Sequence, residues 1–278
     1  MFYNLAIHEC LSFLNDIPRN SWYNQNIAET VADKVVLEIG CGTGILGAYC
    51  LQHGARHYIG VDIKQHRADY TRKILTELGY GDKITIYYKD FCKLVPEDLP
   101  HKVDVLLCEQ TYDQMLINFN ICDFWKHANN ILEDYVSLPD SWNLDIAVYE
   151  GIISTSLPEH APKTFITHSS LPFGYAEAVA HLNQIKPDKV IKNILQINPN
   201  NVDDAIEFNV DLSAYKNATL VLTDNISYKD SQCISISATV DWNQLPACLH
   251  VKDCKKNTNI KWNPNLSVNG FRNGFWQV

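Results

Sequence analysis

The stretch VVLEIGCGTGILG, residues 35–47, decides the fold. Val35 to Ile39 make a short apolar run of the kind that fills a strand buried on both faces. Glycines then alternate at Gly40, Gly42 and Gly44, and a helical pattern opens directly after them. Glycine permits tight, left-handed backbone and lets a ligand approach the main chain closely. A strand, a bare turn and a helix in that order form a device for holding a nucleotide-like cofactor.

Working outward, the same texture repeats. HYIGVDI (57–63), ITIYYKD (84–90) and VDVLLCE (103–109) read as strands, and residues 65–78 and DFWKHANNIL (123–132) read as helices. Upstream, LAIHECLSFLN (5–15) carries apolar groups at helical spacing. Strands alternating with helices predict an α/β fold, with a mostly parallel sheet covered on both faces. Ligands of such sheets sit at the carboxyl ends of the strands, near the switch point. After SLPDSW (137–142) the pattern changes. LDIAVYEGIIS, AIEFNVDL, ATLVLTDN and CISISATVDW are strand-like, whereas GYAEAVAHLNQI (174–185) and PDKVIKNILQI (187–197) look helical. This predicts a Rossmann-like domain over residues 1–138 and a β-rich domain over 139–278, with a helical insertion at about 172–197.

Composition narrows the function. A net charge of −9 over 278 residues argues against nucleic-acid binding, because a phosphate-tracking face needs clustered Lys and Arg. No stretch approaches the roughly 20 apolar residues that span a bilayer. The opening MFYNLAIHEC lacks the basic start of a secretory leader. The nine cysteines contain no C-x-x-C pair, so neither a zinc ribbon nor a disulfide framework is expected. A cytoplasmic protein with reduced thiols is the expectation, with no metal and no membrane.

Two cofactor chemistries use the glycine turn. Gly42-x-Gly44-x-x-Gly47 satisfies the dinucleotide fingerprint, and Asp62 stands near the spacing of a ribose-binding acid. Three features favour a sulfonium methyl donor, S-adenosylmethionine. Glu38 lies two positions before Gly40, where an acid suits a cationic ligand and repels a diphosphate. Asp90-Phe91 closes the third strand, offering an acid to an adenine amino group and an aromatic face to its ring. Glu109 closes the fourth strand and aims an acid at the acceptor side.

These residues resemble the protein arginine methyltransferase family, a group of class I S-adenosylmethionine-dependent enzymes. The resemblance rests on Ile7-His8-Glu9 and Asp16-x-x-Arg19-x-x-x-Tyr23, on VVLEIGCGTGILGAYCLQHGARHYIGVD, on VDVLLCEQTYDQ, on SLPD and on EFNVDLSAY. It implies a Rossmann-like domain joined to a β-barrel. The insertion at 172–197 would be a dimerisation arm, and the protein a homodimer. It further implies that Arg19 holds the donor's carboxylate, that Tyr23 lies by the cofactor, that Asp62 takes the ribose hydroxyls and that Glu109 contacts the nucleophile. An Arg fork matches a carboxylate bidentately.

The chain also departs from that family. Its second loop glutamate should fall near Asn118, which carries no charge; Asp113 is the nearest acid and a candidate catalytic substitute only in a rearranged loop. The family's late Thr-His-Trp signature matches Gly274-Phe275-Trp276-Gln277 by chain order, or Val240-Asp241-Trp242-Asn243-Gln244, and neither has the histidine. A guanidinium is a poor nucleophile because its charge is delocalised. Two carboxylates that grip it localise charge on the other nitrogens. With one acid lost, three readings stay open: a guanidino nitrogen of arginine, in a peptide or free; another nitrogen such as histidine imidazole or a small-molecule amine; or a degenerate cofactor-binding scaffold subunit.

Overall fold

A computed structural model of the chain describes residues 14–109, 120–151, 187–202, 206–233, 247–265 and 273–277. Helix α1 (Ile17–Ala28) comes first. Then follow β1 (Val35–Ile39), α2 (Ile45–Gln52), β2 (His57–Asp62), α3 (Gln65–Glu77), β3 (Ile84–Tyr88), β4 (Val105–Cys108), α4 (Asn120–Ile131) and β5 (Val136–Leu138). Their five strands form one parallel sheet in the order β3-β2-β1-β4-β5. The order reverses between β1 and β4, so the crevice at their carboxyl ends is the switch point. Gly40 leaves β1 there, and Glu109 leaves β4 beside it.

The sheet forms where the sequence pattern placed it because β1, Glu38 apart, and β4 are apolar and both are buried on both faces. Helix α1 starts where Asp16 caps it: the Asp16 Oδ1 accepts the Arg19 N–H at 3.1 Å, and Pro18 fills the first turn without losing a needed donor. Helix α4 buries Trp125 completely and ties it down, the indole N–H donating to Ser137 Oγ at 2.9 Å.

From Ser141 the strands are antiparallel. They are β6 (Ser141–Glu150), β7 (Lys189–Ile197), β8 (Glu207–Val210), β9 (Asn217–Tyr228), β10 (Ser231–Cys233), β11 (Ala247–Lys252), β12 (Thr258–Asn265) and β13 (Asn273–Gln277). One sheet runs β10-β9-β6-β7 with β11 also on β9, and a second runs β13-β12-β8. A Rossmann-like α/β sheet followed by antiparallel sheets is the expected fold class. Hydrogen bonds join the two parts beside α1: Thr30 Oγ1 donates to Tyr228 Oη at 3.0 Å, and Ser231 Oγ to Asn26 Oδ1 at 3.0 Å.

One expectation is corrected. Residues 187–197, expected as the end of a helical insertion, contain strand β7 paired with β6. Val190, Ile191, Ile194 and Leu195 do fit a helical stripe, but most are β-branched and β6 supplies an open edge for their backbone. Asn193 takes φ +50° beside the register shift between Leu144 and Ile146, and its N–H donates to Asp145 Oδ1 at 2.7 Å. That local slip turns an apparent 3.6-residue period into an irregular strand. Residues 172–186 lie outside the described residues, as do Asp113, Asn118 and 240–244.

Candidate active site

The turn after β1 is built as the sequence requires. Gly40, Gly42 and Gly44 have φ of 74°, 52° and 78°, all left-handed, a region that costs an L side chain about 1–2 kcal/mol. The turn is stitched to β2 by Gly40 N–H to Val61 O at 2.7 Å and by Cys41 N–H to the same oxygen at 3.1 Å. Thr71 on α3 supports it from outside, its hydroxyl donating to Gly42 O at 3.0 Å. No side chain caps the start of α2 at Gly44, so the helix opens on bare backbone.

Asp62 at the end of β2 is buried. One carboxylate oxygen accepts the Gly42 N–H at 3.0 Å and the other the Lys64 N–H at 2.8 Å. The acid expected at the ribose is thus the post to which the glycine turn is tied.

Glu109 is only 7% exposed and is held by Arg19, itself 3% exposed. The Arg19 Nε donates to Glu109 Oε1 at 2.7 Å, and its Nη2 lies 2.6 Å from the same oxygen. Arg19 Nη1 donates to Asn20 Oδ1 at 2.7 Å, and Asn20 Nδ2 donates to Leu14 O at 3.0 Å. The guanidinium also lies 5.4 Å from the centre of the Tyr23 ring. Tyr23 is fully buried, and its hydroxyl donates to Cys108 O at 3.2 Å. Burial pushes that hydroxyl's pKa well up, and Glu109 adds to the shift. Helix α1 therefore lies over the β4 end of the crevice and delivers a cation to the acid. Asn20, which steers this guanidinium, was missed by sequence reading; only its place beside Arg19 marked it.

Glu38 on β1 is 2% exposed and accepts a hydrogen bond from the Tyr58 hydroxyl. Burial lifts its carboxyl to about 8. Cys41 and Cys50 nearby are buried thiols with pKa pushed up by burial, which makes them neutral packing groups.

Two expectations need adjustment. Phe91 is 4% exposed and packs edge-on against Phe124 at 5.8 Å and His127 at 5.2 Å. It offers no free face to a ring, so its expected place over adenine is corrected to one in the core under α4. Asp90 caps the short 3-10 turn at 91–93, accepting the Cys92 N–H at 3.0 Å. Lys89 pairs with Asp98. His53 and His57 are bonded to Asn24 and Thr85 at 2.9 Å each.

Three buried carboxyl groups, Glu38, Asp62 and Glu109, thus stand at the switch point, and one guanidinium, that of Arg19, is bonded to Glu109. That balance suits a cationic ligand and disfavours a diphosphate. Comparison with known proteins agrees. Residues 36–133 match the model of a methyltransferase domain. The chain is 33% identical over 137 residues to mouse protein arginine N-methyltransferase 2, covering 46% of this chain and 30% of that protein. It is 33% identical over 153 residues to Arabidopsis thaliana protein arginine N-methyltransferase 1.1, covering 53% and 37%. Against Saccharomyces cerevisiae protein arginine N-methyltransferase 1 it is 32% identical over 151 residues, covering 52% and 41%.

Residues 36–133 are thus a methyltransferase domain by their match, and the relatives similar to the chain are arginine methyltransferases. The matched stretch is well under two thirds of each of these relatives. Over the whole length the likeness is one of fold. A Trypanosoma brucei structure described as the PRMT1 enzyme–prozyme heterotetrameric complex with AdoHcy superposes with a TM-score of 0.66 at 18% identity, covering 98% of this chain and 97% of that one. A crystal structure of PRMT6 gives 0.63 at 14% identity, covering 99% and 98%. In this chain the third fingerprint glycine, Gly47, has a packing explanation. A Cβ there would stand 2.6 Å from Tyr58 Cζ. Gly47→Ala is expected to cost about 1–3 kcal/mol by overpacking. Urea denaturation should show a smaller cost for the same change on a Tyr58→Val background.

Proposed function

We propose that this chain is an S-adenosylmethionine-dependent N-methyltransferase whose acceptor is a guanidino nitrogen of arginine in a peptide or protein. The observation that carries the reading is Glu109, held by Arg19 at the switch point beside a bare glycine turn. S-adenosylmethionine supplies a methyl group activated by a positively charged sulfur. The turn at Gly40, Gly42 and Gly44 gives the donor a path along bare backbone, Asp62 and Asp90 offer it acceptors, and Arg19 offers a cation for its carboxylate. Glu109 accepts N–H bonds from the guanidinium and draws positive charge away from the attacking nitrogen. Holding that nitrogen in line with the methyl carbon, at about 3–3.5 Å, supplies much of the rate. The carbon–sulfur bond breaks as the carbon–nitrogen bond forms, leaving a neutral thioether; positive charge builds on the acceptor, where a fixed carboxylate favours it, until the methylated nitrogen gives its proton to solvent.

Asn118 stands where the family resemblance calls for a second acid, and this favours one other reading, a nitrogen that needs less charge localisation. Imidazole near neutral pH already has a free lone pair. The test is a labelled-methyl assay against peptides containing Arg, His or Lys and against free arginine, with the modified atom located by mass spectrometry. Label on arginine peptides is the expected result. Label on histidine or an amine moves the acceptor to the second reading, and donor binding without transfer makes the chain a scaffold subunit. The proposal also takes the protein as a cytoplasmic homodimer, as the family resemblance implies. Sedimentation of the purified chain reads the assembly, with a mixed assembly like that described for the Trypanosoma brucei complex as the other outcome.

A further inference from the structure

Glu38 sits in an unusual fitting. Tyr58 lies one turn of the pleat away on β2, in the register Val36–Tyr58 and Glu38–Gly60. Its ring is slotted between two glycines. A Cβ on Gly47 would meet Tyr58 Cζ at 2.6 Å and Oη at 2.9 Å, and a Cβ on Gly60 would meet Tyr58 Cε1 at 3.1 Å. Gly47 is thus bare where this ring passes, Gly60 is crowded by Cys41 Cβ and Ile86 Cδ1 at 3.0 Å as well as by the ring, and the ring's hydroxyl ends on Glu38 Oε2. A glycine within α2 costs about 0.5–1 kcal/mol relative to alanine, and holding the ring in place is the compensation visible here.

The groups facing Glu38 come from every neighbouring element. Tyr58 and Asp62 come from β2, Arg19 from α1, Glu109 from the end of β4, Cys41 from the glycine turn and Cys50 from α2. Arg19 is engaged with Glu109. Burial is the main force favouring a neutral Glu38 carboxyl, and Glu109 and Asp62 push the same way; Tyr58 and Arg19 oppose them.

We propose that Glu38, held under the glycine turn by Tyr58, gives up its proton to solvent when the cationic donor enters and so selects the sulfonium donor over its neutral thioether product. This inference rests on the methyl-donor reading. In the empty site the carboxyl is protonated at neutral pH, which spares the crevice a third buried negative charge. A sulfonium brings the positive charge that makes ionisation of Glu38 favourable, and the proton leaves to buffer. After transfer the sulfur is neutral, the carboxyl takes a proton back, and the product is held less tightly. Tyr58 is a positioning residue: it keeps the carboxyl oriented and moderates its proton affinity.

The sign follows from the site. A carboxyl that titrates at about 8 in the empty protein must lose a proton to bind the donor below that pH. Donor affinity should therefore rise about tenfold per pH unit between pH 6 and 8 and level off above it. The ligand's own amino group titrates in the same region, near 7.7–8.0, so wild type is read against Glu38→Gln, in which that contribution is unchanged.

The experiment is calorimetric titration of the full chain with S-adenosylmethionine and with S-adenosylhomocysteine, at several pH values, in buffers of different ionisation heat. The expected result is release of close to one proton per donor at pH 7 in wild type beyond that in Glu38→Gln, with less release for S-adenosylhomocysteine. Tyr58→Phe keeps the ring in its slot but removes the hydroxyl, so its affinity rise should move to higher pH. A structural role for the tyrosine alone would change affinity without moving that midpoint. Binding with the same proton count and pH profile in wild type and Glu38→Gln overturns this inference and leaves the methyltransferase reading intact. Absence of donor binding at every pH overturns both.

Discussion

Glu109→Gln is expected to lower methyl transfer by about 10²–10³-fold in kcat while leaving donor affinity within a few-fold of wild type. The magnitude is that of removing one preorganised group aimed at transition-state charge. Gln keeps the shape and a carbonyl oxygen that can still accept from Arg19, so the crevice stays assembled. It loses the negative charge that stabilises the cation forming on the acceptor. The site makes the loss specific: Arg19 Nε and Nη2 both lie within 2.7 Å of Glu109 Oε1, which fixes where that charge stands. Single-turnover transfer with saturating donor separates the chemical step from binding. Equal kcat for the two proteins would remove Glu109 from the acceptor side; donor binding with no turnover in either would return the chain to the scaffold reading.

The second large effect is expected at Gly42. Its φ of 52° is left-handed and its N–H is donated to Asp62. Arginine at this position would bring backbone strain and a long cationic side chain in the path of a cationic ligand. Gly42→Arg should weaken S-adenosylmethionine binding by more than 100-fold. A matched control is Gly79→Ala, at φ 89° with nothing within 4 Å of its added Cβ. It carries similar backbone strain away from the crevice and should leave donor affinity unchanged. Near-normal binding by Gly42→Arg would mean the ligand does not follow the turn.

Much of this was readable in the chain because the signals are local. An apolar run followed by alternating glycines can only leave a buried strand through left-handed backbone, and residues 35–47 do so. Asp62 and Glu109 were legible for the same reason, since acids that close apolar strands in a parallel sheet fall at its carboxyl edge. What escaped was set by contacts distant in sequence. Residues 189–197 carry a helical stripe, yet pairing with β6 and a slip at Asn193 make them a strand. Phe91 looked available beside Asp90, but α4 arrives from thirty residues onward and covers it. Gly47 invited the dinucleotide reading because a glycine three residues past Gly44 completes that fingerprint; its actual neighbour is the ring of Tyr58. A glycine inside a helix and a tyrosine in an otherwise aliphatic strand were the available hints, and only their juxtaposition explains both.

Titration of the purified chain with S-adenosylmethionine and, separately, with NAD, followed by calorimetry, tests the core of this account. One molecule of S-adenosylmethionine per chain at micromolar affinity, with no heat from NAD, is the predicted outcome. Heat from the dinucleotide and none from the sulfonium compound would contradict it.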